Sequence, residues 1–348
     1  MTFSVHLERS GRQIEAGPSE SVLDAAMRQG IVTPYGCRNG ACGSCRGRLL
    51  SGQIDYPDGI PGALDERQRA RGEILLCQAQ ARSDLQLDVE ELDAGQMTQV
   101  RTLPVRVMEL ERLSHDVMRV GLKLPATERM QYLPGQYLEI LMRDGRRRAF
   151  SLANAPHDDA LLELQIRHVP GGAFSGHVFD GLKERALMRI HGPLGSFFLR
   201  EADAPALLIA GGTGFAPIQA ILAGAIEAGL TRELYVYWGV RSERDLYRHD
   251  EMQALAESYS FIHYVPVLSD PAPVDAQCAD APAWSGRSGF VHQAVLQDFA
   301  DLSQFHVYAS GPPVMVQAIR DNFGAAGLDL DRLYYDSFDY AFETGYDT

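Results

Sequence analysis

Cys37, Cys42 and Cys45 stand in a C-x4-C-x2-C array inside the stretch Tyr35 to Cys45, and Cys77 follows about thirty residues later. Three thiolates from one tight loop and a fourth from a separate element form the ligand pattern of a [2Fe-2S] centre. Two irons bridged by two sulfides need that convergence on a small volume. Gly36, Gly40 and Gly43 interleave with the cysteines, so the loop can curl with its N–H groups turned toward an anionic centre, at backbone angles that glycine adopts cheaply. A zinc site would favour paired C-x2-C units, and a disulfide pair does not persist in a reducing cytosol. Cys278 lies in a Pro/Ala/Asp-rich loop, fits no spacing and is read as incidental.

A second constellation begins at Arg146-Arg147-Arg148-Ala149-Phe150-Ser151. The planar fork of Arg148 suits a pyrophosphate, the ring of Phe150 a flavin face, and the hydroxyl of Ser151 the flavin N5. Downstream, Arg167-His168-Val169-Pro170-Gly171-Gly172-Ala173-Phe174-Ser175 ends a strand in a glycine turn. A helix from Ser175 to Phe179 would then aim its N–H groups at the same pyrophosphate. His168 and His177 have no second ligand at helical or hairpin spacing, which favours a flavin-edge or surface role over metal.

A third constellation is glycine-rich. Gly211-Gly212-Thr213-Gly214-Phe215-Ala216-Pro217 is a dinucleotide turn of G-x-G-x-x-P type, with Pro217 expected to start the helix and the third glycine of the common fingerprint missing. Gly239 and Arg241 would meet the adenosine side, and Ser310, Gly311 and Pro312 the nicotinamide.

The elements that must position these residues are legible in the periodicity. Thr2–Glu8 and Arg12–Ala16 read as a hairpin, Ser21–Gln29 as a helix stopped by Gly30, and 46–54 and 85–90 as strands, with a short polar helix near 65–71. Asp93–Thr102 reads as a linker. Six alternating stretches (105–112, 117–124, 136–142, 147–152, 162–169, 187–191) predict a small antiparallel barrel. From 203 onward strands and helices alternate, which predicts a parallel sheet wound on both faces, with ligands at the carboxyl ends of its strands.

Residues 1–92 thus resemble a β-grasp plant-type ferredoxin domain. Residues 103–202 resemble the FAD-binding barrel of the ferredoxin-NADP reductase superfamily, where Arg-x-Tyr-Ser/Thr is usual and Phe150 here replaces the Tyr. Residues 203–348 resemble that superfamily's pyridine-nucleotide domain, whose last motif normally begins with Cys where this chain has Ser310. The replacement implies a slower or retuned hydride step, since hydride transfer needs proximity and not a covalent nucleophile. In relatives a C-terminal aromatic covers the flavin, and Phe338 is the candidate; Tyr340, Phe342 and Tyr346 could extend that contact. The whole order resembles three-module reductases, among them the CDP-6-deoxy-glucoseen reductase and phenol hydroxylase (oxygenase) reductase groups.

The resemblance implies an iron-sulfur flavoprotein oxidoreductase that carries electrons from NADH (NADPH being the other option) through FAD and a [2Fe-2S] cluster to a protein acceptor, an oxygenase or CDP-sugar dehydratase component. A diaphorase or free-flavin reductase needing no partner is the alternative, though it would have no use for the ferredoxin module. A redox-sensing binding protein with a vestigial nucleotide site is the third reading. Arg38, Arg46 and Arg48 are expected to dock an acidic partner. Arg241 and Arg244 could accept a 2'-phosphate, but Glu243 and Asp245 would repel it.

Composition excludes other classes. The net charge is -14, and residues 203–348 hold 20 acidic against 7 basic residues, with no basic stripe for nucleic acid. The long uncharged stretch 204–226 is broken by Gly-Gly-Thr-Gly and Pro217, so it reads as strand, turn and helix and not as a membrane span. The N-terminus alternates like a strand without a secretory signal, so a cytoplasmic location is expected.

Overall fold

The computed structural model describes residues 2–92, 99–270 and 284–337. Cys278, Phe338, Tyr340, Phe342, Tyr346 and most of the expected linker lie outside the described residues. The described residues form two compact units, one of residues up to Gln99 with Gly195–Phe197 and Tyr335–Ser337, the other of Val100–Leu194 and Phe198–Tyr334.

The first unit holds β1 (Phe3–Leu7), β2 (Gln13–Ala16), α1 (Val22–Arg28), β3 (Arg46–Ser51), β4 (Ile54–Asp55), α2 (Glu66–Ala70), β5 (Glu73–Leu75), β6 (Gln80–Ala81) and β7 (Leu85–Asp88). Its main sheet runs β2-β1-β7-β3-β5, with β1 and β7 parallel and the other pairs antiparallel. α1 forms because Ser21 caps it, its oxygen accepting the Asp24 N–H, and because Val22, Leu23, Ala25 and Ala26 bury one stripe. It stops at Gly30, whose φ of 74° a side chain would resist. The stripe packs with Val5, Leu7, Leu75, Leu76 and Leu87 in one core that also takes in Cys45 and Cys77. Burying each such Leu contributes about 1.5–3 kcal/mol, so the cysteines are anchored in a rigid frame.

In the second unit β8 (Arg101–Arg112), β9 (Val117–Lys123), β10 (Tyr137–Leu141), β11 (Arg147–Ser151), β12 (Leu162–Arg167) and β13 (Leu187–Leu194) form a sheet ordered β11-β10-β13-β8-β9-β12. A Leu152–Leu164 bridge joins its two ends, closing the barrel, and α3 (Ala173–Asp180) follows β12. Arg101 and Thr102, expected in the linker, already belong to β8, because the strand pairs with β13 as far as Arg101.

The remaining elements are β14 (Ala206–Gly211), α4 (Phe215–Glu227), β15 (Leu234–Val240), α5 (His249–Ser258), β16 (Ile262–Leu268), β17 (Arg287–Ser288), α6 (Val291–Asp298), β18 (His306–Gly311), α7 (Pro313–Phe323) and β19 (Leu333–Ser337). The sheet order is β17-β16-β15-β14-β18-β19, and the pairs from β17 to β18 are parallel. Every residue of β14 is buried, as expected for a strand covered on both faces. The strand order reverses between β14 and β18, which opens a crevice at their carboxyl ends.

Candidate functional site: cysteine loop, barrel turn and nucleotide crevice

The cysteine loop curls as its spacing demands. Gly40 and Gly43 have φ of 80° and 81°, but the third left-handed residue is Arg38, at 61°, and not Gly36. Gly36 is small for a different reason: a β-carbon there would lie 3.3 Å from Cys42 Sγ and 3.4 Å from Ser44 Oγ. Backbone N–H groups turn onto sulfur, Cys42 N to Cys37 Sγ at 3.2 Å, Cys37 N to Cys42 Sγ at 3.4 Å and Ser44 N to Cys42 Sγ at 3.4 Å. Cys77 follows β5, held by the Leu76 N–H bond to the Cys45 carbonyl at 2.9 Å.

All four thiols are free, and they titrate as neighbours. The Cys37 thiol beside it lowers Cys42 to about 6 and is itself pushed up. Cys77 is lowered and Cys45 raised in the same way. Sulfurs this close cannot all become thiolates unless iron cations sit among them, so the donor set fits an iron-sulfur centre whose net negative charge the inward N–H groups offset at the sulfurs.

On the barrel, Arg148 and Phe150 share one face of β11, and Ser151 is buried at its end. The Phe150 ring meets Phe174 of α3 at 5.5 Å between centroids, which brings β11 and the glycine turn together. Ser175 closes that turn itself: its Oγ accepts the Val169 N–H at 3.0 Å and lies 3.2 Å from the Val169 carbonyl. Gly171 has φ of 76°, and Gly172 is the N-cap of α3, which has no side-chain cap. The Gly172 N–H donates to the Val169 carbonyl at 2.9 Å, and the uncapped first turn of α3 suits a phosphate. The expected helix starts two residues earlier than Ser175, at Ala173.

Arg167, His168 and Val169 are placed elsewhere, on the wall of a cavity of about 1080 Å³ that they share with Gly211, Gly212, Gly239, Arg241 and Pro312. Arg167 Nε is 3.1 Å from Asp116 Oδ2, and a β-carbon on Gly212 would be 2.8 Å from Arg167 Nη1. The Gly212 carbonyl accepts the Trp238 indole N–H at 2.9 Å, and Trp238 stacks on Phe215 at 4.0 Å. Thr213 and Gly214 belong to a 3-10 turn, so α4 begins at Phe215 and Pro217 falls inside its first turn instead of starting it.

Gly211 and Gly214 stand where a side chain would collide with the protein's own atoms. A β-carbon on Gly211 would meet Met315 Sδ at 2.7 Å, and one on Gly214 would meet the Ser310 carbonyl oxygen at 2.0 Å. Gly311, at φ of 155°, completes the close approach. Ser310 is fully buried, does not line the cavity, and its Oγ makes no hydrogen bond among the described residues. A bare glycine floor at the crevice and one orphaned hydroxyl behind it fit a dinucleotide's diphosphate and carboxamide end.

Comparison with known proteins bears on all three places. Residues 5–82 match the 2Fe-2S iron-sulfur cluster binding domain, 104–199 the oxidoreductase FAD-binding domain and 208–321 the oxidoreductase NAD-binding domain. The chain is 38% identical to the CDP-6-deoxy-L-threo-D-glycero-4-hexulose-3-dehydrase reductase of Yersinia pestis, over 97% of this chain and 99% of that protein. It belongs to the three-module reductases of the ferredoxin-NADP reductase superfamily. The phenol hydroxylase P5 protein of Acinetobacter pittii is 32% identical, over 91% of this chain and 89% of that one. Among solved structures, the Amycolatopsis cytochrome P450 reductase GcoB is 34% identical with a TM-score of 0.76, over 97% of this chain and 99% of that one.

The reductase is therefore an oxidoreductase that uses FAD, a nicotinamide nucleotide and a [2Fe-2S] cluster. No helix among its described residues is long and apolar enough to cross a membrane. Of the arginines expected to dock a partner, Arg38 is paired with Asp24 at 2.5 Å and Arg46 with Glu73 at 2.5 Å, while Arg48 is exposed. Sequence reasoning missed His115, Asp116, Asp270, Phe290 and Val314, all on the cavity wall. The first two sit on the β8–β9 turn, where nothing in the local pattern signals a ligand. Asp245 was legible, because Ser242-x-x-Asp245 is a capping box: Asp245 Oδ2 accepts both the Ser242 N–H and its hydroxyl at 3.0 Å.

Proposed function

We propose that this reductase takes hydride equivalents from NADH and passes single electrons to a protein acceptor, an oxygenase or a CDP-sugar dehydratase component. The observation that carries this reading is the presence, in one chain, of a nucleotide crevice and four free thiols, three on one loop and the fourth after β5, with three N–H groups turned onto sulfur. When bound, FAD exchanges a two-electron hydride for single electrons and the cluster carries one at a time. Cys37, Cys42, Cys45 and Cys77 hold the cluster. Arg148, Gly171, Gly172 and the start of α3 hold the flavin diphosphate, and Phe150 and Ser151 orient the ring. Gly212, Thr213, Gly214 and Pro217 with Gly239 and Arg241 hold the dinucleotide, and Ser310, Gly311 and Pro312 orient its nicotinamide. Arg167, His168 and Val169, at the end of β12 on the cavity wall, would contact the bound nucleotides.

The relatives support the protein acceptor, since one is named a dehydrase reductase and another a phenol hydroxylase P5 protein. NADH is preferred over NADPH, because the Asp245 carboxylate on the cavity wall would face a 2'-phosphate. The free thiols support a reducing compartment, the cytoplasm.

Stopped-flow mixing of the holoenzyme with NADH tests the reading. Flavin bleaching followed by cluster reduction within the turnover time is expected. Flavin bleaching with a cluster that stays oxidised would leave a partner-independent diaphorase, and no bleaching would leave a binding protein.

A further inference from the structure

Three residues of β19, Tyr335, Asp336 and Ser337, pack with the first compact unit although they come from the far end of the chain. Tyr335 and Asp336 lie against the cysteine loop. The Ser44 hydroxyl donates to the Tyr335 carbonyl at 3.1 Å, and the Tyr335 hydroxyl lies 3.3 Å from where a β-carbon on Gly43 would stand. Asp336 is buried, 5% exposed, and its Oδ1 lies 3.8 Å from where a β-carbon on Gly36 would stand. Cys42 Sγ lies 3.3 Å from that same point, so carboxylate and sulfur are no more than about 7 Å apart. The bare face of Gly36 is the gap they share.

We propose that Asp336 is a tuning residue for the [2Fe-2S] centre, its carboxylate holding the reduction potential down, with the Ser44–Tyr335 hydrogen bond as the tether that keeps it there. This rests on the reading of Cys37, Cys42, Cys45 and Cys77 as the ligands. Adding an electron to the centre adds negative charge, and a carboxylate within about 7 Å of a ligand sulfur in a weakly screened interior opposes that addition. The oxidised form is favoured over the one-electron-reduced form. A reduced centre so disfavoured gives its electron up more readily to an acceptor. None of the three residues is among the four cysteine ligands, so the effect proposed for Asp336 is electrostatic and falls on the potential of the centre.

The test is an EPR-monitored redox titration of the holoenzyme, wild type against Asp336→Asn. At the ambient potential where the wild-type cluster is half reduced, the variant's ratio of reduced to oxidised cluster should rise by roughly threefold or more, with unchanged g-values. Asp336→Glu and Asp336→Gln perturb the packing alike and differ in charge. The Gln variant should therefore titrate at a higher potential than the Glu variant, even where Asp336→Asn yields no folded protein. Equal potentials in the Glu and Gln variants, or in wild type and Asp336→Asn, would overturn the proposal. A wild-type protein with no [2Fe-2S] signal would instead sink the ligand assignment beneath it, so the two failures are distinguishable.

Discussion

Gly214 and Ser310 meet backbone to backbone, with a β-carbon on Gly214 destined to fall 2.0 Å from the Ser310 carbonyl oxygen. No rotamer relieves that clash, because both partners are main chain. Gly214→Ala must push β18 from the first turn of α4 and distort the crevice floor. The variant should lose about 2–4 kcal/mol of stability in thermal or urea unfolding. Flavin reduction by NADH should slow by more than about 100-fold, while dithionite still reduces flavin and cluster. A variant that reacts with NADH at the wild-type rate would show that the close approach is not needed.

Cys77 is the thiol that separates the two enzymatic readings. It lies outside the cysteine loop, and its removal leaves the barrel and the nucleotide crevice untouched. Cys77→Ser should abolish the iron-sulfur EPR signal and cut electron delivery to a protein acceptor by more than about 100-fold. NADH oxidation with ferricyanide should stay within about twofold of wild type, since the flavin and the crevice suffice for it. Undiminished delivery to the protein acceptor would mean that electrons leave from the flavin.

The elements were legible because each declares itself locally. β14 is a run of apolar residues, β12 and β9 alternate, and Ser21 and Gly30 bracket α1. The cysteine loop was legible for the same reason, as one covalent stretch whose spacing is its chemistry. What sequence could not give is the partnership of distant residues. Arg167, expected from sequence to meet the flavin, pairs with Asp116 of the β8–β9 turn on the cavity wall, and nothing local announces that pairing. Arg38 and Arg46 look like docking charges until Asp24 and Glu73 engage them. Gly36 looks like a turn glycine, yet its backbone is ordinary and its smallness serves the sulfur beside it. Charge pairing and close approach depend on which surfaces meet, and no local pattern encodes that.

Glu163 is the centre of a polar joint in the second unit. Its carboxylate meets Arg119 Nε at 2.7 Å and Arg248 Nη2 at 3.5 Å, and its Oε1 accepts from Gln165 at 3.1 Å. Gln165 in turn reaches Gln219 of α4 at 2.8 Å and accepts from the Tyr247 hydroxyl at 2.8 Å. The joint thus ties barrel strands β9 and β12 to α4 and the start of α5. Glu163→Leu would leave two half-buried guanidinium groups short of a partner, and should cost about 2–4 kcal/mol. Glu163→Gln keeps one acceptor oxygen and so part of the hydrogen bonding, and should cost about 1 kcal/mol less than that. Thermal melting of the two variants checks the order, and a Leu variant as stable as the Gln variant would show that the charge does not matter.

Glu73 predicts how the cysteine loop responds to acid. Burial raises its carboxyl, but the hydrogen bonds from Arg46 at 2.5 Å and Arg71 at 2.7 Å outweigh that and leave it below its usual value of 4.5. Arg46 also donates to the Ala63 carbonyl at 3.2 Å, and the Ala63 N–H reaches the Gly40 carbonyl at 3.2 Å, so the pair braces the loop between the ligands. A carboxyl whose pKa is lower folded than unfolded contributes stability above the unfolded value and loses it as pH falls through the folded one. Wild type should therefore exceed Glu73→Gln in stability at neutral pH, and the gap should close as pH falls below about 4.5. The bleaching of cluster absorbance on heating, followed from about pH 7 down to about pH 3.5, measures it in both proteins. A gap that stays constant across that range would mean that the brace works through shape and not through charge.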